Sequence, residues 1–184
     1  MRPRTQGLAG LAIVAAVATP HARGLLEGSM FLHMLVQIPA LVLAGYWLSA
    51  VLPARLRQLL QSFNAHGVTG WALTSLALAF WMLPRALDMA VADPAVDAAK
   101  FAVLLLAGLA IRLSLEASGT VVQLFFLGNW AWMTATVGLL YVETPERLCN
   151  AYLSGDQTVT GYGLVLEALI ISAAWLQRSR FWAG

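Results

Sequence analysis

The sequence predicts an all-α, polytopic membrane helix bundle of about six transmembrane helices, and three observations predict it. Of 184 residues, 60% are apolar and only 11% charged, where a soluble domain carries about 25% charged residues. Mean hydropathy is +0.74. The apolar residues fall into stretches separated by proline, glycine and charge, all but the short first one near the length that spans a bilayer. This composition excludes an ordinary cytosolic enzyme, a disordered tail and a disulfide scaffold. Residues 1–184 read as a single integral membrane domain with no room for a large extramembrane unit.

The first stretch, Gly7–Thr19, follows Arg2 and Arg4. It ends in Ala16-Val17-Ala18, which resembles a signal-peptidase site. It is read either as a short first helix extended through Pro20 or as a cleaved leader, which leaves five spans. The second, Ser29–Leu52, contains Pro39, which predicts a kink. The connection Pro53–Gly67 carries Arg55, Arg57, Gln58 and Gln61 and reads as an amphipathic segment at the interface. Val68–Leu83, Ala98–Leu115, Thr120–Val142 and Val159–Leu176 complete the set. None alternates as a barrel strand would, and backbone in hydrocarbon must satisfy its own hydrogen bonds. Pro84 suits the first turn of a further helix, in which Arg85 and Asp88 would pair at i, i+3.

Charge orients the bundle. With the N-terminus inside, the inner segments hold Arg2, Arg4, Arg55, Arg57, Arg112, Arg178 and Arg180. The outer segments hold Arg23, Arg85, Lys100 and Arg147. This asymmetry follows the positive-inside rule and predicts that both termini are cytoplasmic, in a cell (inner) membrane. The pI near 9.0 therefore reports topology rather than nucleic acid; the expected partner is the lipid bilayer.

Chemistry rests on few residues. Met30, His33, Met34 and Gln37 lie at i, i+3, i+4 and i+7, one helical face. His33 is the only histidine inside a predicted span. Thioether and imidazole donors suit Cu(I), so His33, Met30 and Met34, with Met82 from the next helix, form a candidate copper site. A packed methionine stripe, with His33 bonded to a neighbouring helix, is the competing reading. Gln37, Arg85, Asp88, Asp156 and Gln157 are candidates to support the site or contact a partner. Glu167 sits mid-span, where a lone carboxylate is costly. Asn129 lies at similar depth as its expected partner, and Gln123 is nearer the inner face. Together these three outline a polar path, the signature of a small transporter or channel subunit. There is no GxSxG, HExxH, phosphate-loop or GxGxxG motif, and Cys149 is the single cysteine. No enzyme is expected.

Three segments carry a family resemblance. Pro20 through Glu27 to His33-Met34 is similar to the Pro–Glu–HMxQH region of the CtaG-type cytochrome c oxidase assembly factors. Trp81-Met82-Leu83-Pro84 stands where that family tends to have Trp-His-x-Pro, with Met82 in place of histidine. Asp156-Gln157-Thr158-Val159-Thr160-Gly161 keeps the family's DQxxxG spacing. One histidine of HMxQH is missing, so the resemblance implies a short, divergent member whose metal site is Met-rich or lost. It implies copper handling, as a metal chaperone, or scaffolding of oxidase assembly at the outer face. The implied partners are cytochrome c oxidase subunits or a copper donor.

Overall fold

The computed structural model describes residues 2–182, apart from the side chains of residue 154 and residues 178–182. Arg178 and Arg180, counted in the charge asymmetry, therefore lie outside the described side chains. The described residues form helices and no strand: α1 (Pro3–Ala18), α2 (Pro20–Leu26), α3 (Met30–Val51), α4 (Ala54–Ser62), α5 (Val68–Trp81), α6 (Pro84–Ala92), α7 (Pro94–Ala117), α8 (Thr120–Glu143) and α9 (Ser154–Trp182). Four of them, α3, α7, α8 and most of α9, are long and apolar enough to cross a membrane. The bent pairs α1–α2 (75°) and α5–α6 (74°), the latter counted from Ala65, raise the number to six if each is one span.

Prolines punctuate the chain where the sequence placed them. Pro20, Pro84 and Pro94 each occupy the first turn of a helix, where no N–H is needed. Pro39 acts differently from the expected kink. It has no N–H for the Leu35 carbonyl, and the helix widens into a π-turn over His33–Gln37 with Ile38 N–H bonded to His33 C=O. α3 remains one span.

Helix α7 packs on both α3 and α5, and α8 and α9 pair along their lengths. Gly45 of α3 and Gly108 of α7 let these two backbones touch. A Cβ on Gly108 would meet Tyr46 N at 2.7 Å, which no side-chain rotation relieves. Gly138 and Gly161 do the same between α8 and α9. The core runs from Met30, Met34 and Leu41 through Trp81, Leu87 and Leu104 to Tyr141 and Leu164. One end of the bundle is tied by Glu116, which takes Arg57 at 3.1 Å and Arg112 at 3.2 Å. The amphipathic segment is observed as α4, with Leu56 and Leu59 exposed. The opposite end holds the polar residues of interest.

Candidate functional site

At that end the first turn of α3 begins against a carboxylate from α9. Asp156 accepts the Ser29 hydroxyl at 3.1 Å and the Met30 backbone N–H at 2.5 Å. A carboxylate at a helix N-terminus satisfies orphan donors and complements the helix dipole. Gln157, the next residue, staples the loop before α9. Its carbonyl accepts Leu148 N–H at 2.9 Å, and its amide reaches the Tyr141, Thr144 and Glu146 carbonyls at 3.2–3.3 Å.

Beneath this cap, the π-turn sets His33 and Gln37 facing α7, and both are fully buried. Lys100, also fully buried, projects from α7 between them. Its ammonium lies 2.8 Å from His33 Nε2, 3.0 Å from Gln37 Oε1 and 3.3 Å from Glu27 Oε1. An ammonium carries three N–H donors and no acceptor. Those three contacts use all three donors, and Asp97 Oδ1, at 2.7 Å, adds a counter-charge. Asp97 is paired with Arg23 at 2.5 Å, and Arg23 reaches Glu27 at 3.5 Å. Two cations and two carboxylates make the cluster neutral. Burial works against the Glu27 carboxylate, yet the Gln37 amide, Lys100 and Arg23 outweigh it and hold its pKa below the usual value.

The lysine fixes the histidine. Because Lys100 can only donate, Nε2 of His33 is the acceptor and the imidazole is neutral with its proton on Nδ1. That N–H donates to the Tyr152 hydroxyl at 2.6 Å. Burial raises the Tyr152 phenol above its usual range, so it stays a neutral hydroxyl. Both ring nitrogens of His33 are committed.

This geometry corrects the four-residue copper set. Met30, His33, Met34 and Gln37 do share one buried face. His33 and Gln37, however, bind Lys100, and Met30 is closed into the core. Met34 and Met82 line a separate cavity, where Met82 Sδ accepts a weak 3.9 Å bond from Thr134. His33 has no free lone pair, so the residues as arranged do not fit a copper ion. Among the described residues no three His, Cys, Asp or Glu side chains are arranged to hold a metal.

Other expectations change as well. Asp88 does not pair with Arg85. It accepts the backbone N–H groups of Asn150 (2.8 Å) and Ala151 (3.0 Å), and Arg85 is exposed with no ion pair among the described residues. Asn129 does not reach Glu167; it is on the exposed side of α8, which turns Phe126, Leu127 and Trp130 inward instead. Gln123 bonds the Trp175 indole (3.3 Å) and the Ser118 carbonyl (3.0 Å). These residues form no continuous polar path. Glu167 borders an apolar cavity of about 410 Å³ shared with Met34 and Met82.

Sequence reasoning missed Lys100, Asp97, Arg23 and Tyr152 as site residues. The available signal was a lysine inside the apolar run from Ala98, three residues after an aspartate.

Comparison with protein-family models, curated proteins and solved structures returned no match. The resemblance to the CtaG-type factors therefore rests on its own three segments.

Proposed function

We propose that this chain is a membrane scaffold for assembly of a respiratory oxidase, acting through the Lys100 end of the bundle, which faces the outside of the cell membrane. One observation carries this reading. The first and third segments of the resemblance, more than a hundred residues apart, meet where Asp156 caps Met30, and the second lies at the same end, its Met82 carbonyl accepting the Tyr141 hydroxyl at 2.9 Å beside Gln157. The copper-handling arm of the resemblance is not carried forward, because His33 is held by Lys100 and Tyr152. Cytochrome c oxidase subunits are the partners the reading implies. Buried, charge-paired groups give this end a fixed shape, which a scaffold needs.

The test is deletion of the chain in its source organism, with the a-type haem absorbance and cytochrome c oxidation of isolated membranes as readouts. Both should fall, return with the parent chain, and fail to return with Asp156→Ala produced at parental level. Added copper should not rescue them. Oxidase at parental level in the deletion strain would sink the proposal.

A further inference from the structure

The outward face of α8 carries a polar group that the bundle leaves without a partner, and this feature stands independently of the assembly reading. Phe125, Asn129, Trp132 and Thr136 lie at i, i+4, i+7 and i+11, one helical face, and all four are exposed. Phe125 is 66% exposed and Trp132 76%. With α9, α8 is the least buried of the four long spans. The Thr136 hydroxyl is satisfied within its own helix, donating to the Trp132 carbonyl at 2.8 Å. Asn129 has no hydrogen bond among the described residues. By helical rise it lies about 14 Å from the start of α8 and about 21 Å from its end, inside a hydrocarbon core about 30 Å thick. No water reaches that level, and an amide has two N–H donors and a carbonyl to satisfy.

The residue beside it is also unexplained within one chain. Gly45, Gly108, Gly138 and Gly161 each stand where two backbones touch, but a Cβ on Gly128 would meet nothing within 4 Å. Glycine weakens a helix interior, and nothing inside the bundle requires it here. Next to Asn129 on the open surface, it lets a neighbouring helix approach closely.

We propose that α8 pairs with α8 of a second copy of this chain, the two Asn129 amides bonded to each other at the seam and Gly128 admitting the partner helix. Depth selects the partner. Every copy enters the membrane the same way round, set by its basic residues. A twofold axis along the membrane normal therefore brings each residue of α8 opposite itself at the same level. An asparagine side chain both donates and accepts, so the facing pair is self-complementary. A helix of another protein would have to carry a polar group at that level; a second copy carries it by construction. A single asparagine in a seam of this spacing is also a device that fixes register between paired helices.

The full chain, with donor or acceptor fluorophores on a tag after Gly184, is reconstituted in liposomes, and energy transfer between copies is read as lipid is added. Transfer should follow a monomer–dimer curve. Asn129→Leu should raise the dissociation mole fraction by about threefold to tenfold, the range of one side-chain bond between helices in lipid. Asn129→Gln keeps the amide and should stay within about twofold of the parent. Gly128→Leu adds a side chain where the single bundle has open space, so the bundle should fold while the dimer weakens by about tenfold or more. Exclusion of maleimide from the buried Cys149 thiol verifies that each variant is folded. In membranes, oxidation with copper phenanthroline should link two copies of Thr136→Cys, but not of Leu106→Cys, an exposed position on α7. Chains that stay monomeric at every dilution, parental affinity in both Asn129→Leu and Gly128→Leu, or linkage through Leu106→Cys rather than Thr136→Cys would each overturn the proposal. None of these readouts depends on oxidase assembly, so the two readings fail separately.

Discussion

Replacing Lys100 by methionine tests the ionic centre most directly. Methionine approximates the length and volume of the lysine stem and removes only the charge and its donors. In the variant, His33 Nε2 and Gln37 Oε1 lose their donor, Glu27 keeps the Gln37 amide and Arg23, and Asp97 keeps Arg23, whose side chain is 36% exposed. Removing one partner of a buried ion pair costs about 3–5 kcal/mol. The remaining Arg23 places the expected loss near the lower end, about 3 kcal/mol. For a chain of this size that corresponds to a fall of about 6–12 °C in Tm. Cys149 supplies the assay. It is the single cysteine, 2% exposed, and burial together with Asp88 pushes its thiol up to about 12. A maleimide fluorophore therefore reacts only as the bundle opens, and a thermal ramp in detergent reads the transition. Lys100→Met with Asp97→Asn restores charge balance and should recover at least about 1 kcal/mol of the loss. A Lys100→Met protein melting within 2 °C of the parent (about 1 kcal/mol or less) would refute the assignment of Lys100 as the centre of the cluster.

Two further outcomes follow from the same geometry. Glu27 has a folded pKa below its ordinary 4.5, so its contribution is complete above that value and lost as pH falls through the folded one; Glu27→Gln should flatten the acid limb of the Tm-against-pH curve, and an unchanged limb would remove Glu27 from the cluster's energetics. Reporter fusions after Gly184 and near Pro94 should report opposite sides of the membrane, as the arginine distribution requires; the same side for both contradicts the alternating six-span path.

The helices were legible because apolar run length and punctuation encode them locally. Thr120–Val142 was read from the sequence and Thr120–Glu143 is observed; Pro84 starts a helix in both. The face shared by Met30, His33, Met34 and Gln37 was legible too, since spacing sets a face. What that face meets was not. Pro39 widens the preceding turn, and the stripe divides between Lys100 on one side and the cavity on the other. Depth arithmetic failed for Asn129 and Glu167 for a related reason. Helical rise fixes how deep two residues lie, but each residue turns the helix by about 100°, and α8 directs Trp130 inward instead of Asn129. Lys100 was invisible as a site residue because a lone cation near a helix end has the sequence signature of an interface anchor.

Position 100 decides the character of the outer-end site under the proposed topology. Two carboxylates, an amide oxygen and an imidazole nitrogen lie within 3.3 Å of the Lys100 ammonium. Oxygen and nitrogen donors of this kind suit hard or borderline cations, whereas the thioethers that favour Cu(I) lie in the core and along the cavity. The cation already present is covalently part of the chain, carries one charge, and spends its three hydrogens on three side chains: Glu27 before α3, and His33 and Gln37 one π-turn apart within it. A metal ion can leave with changing conditions; a lysine cannot. Lys100 is thus a permanent centre, and the consequence is mechanical. The start of α3, the start of α7 and, through Tyr152 and Asp156, the start of α9 are held in one arrangement, as the proposed scaffold requires.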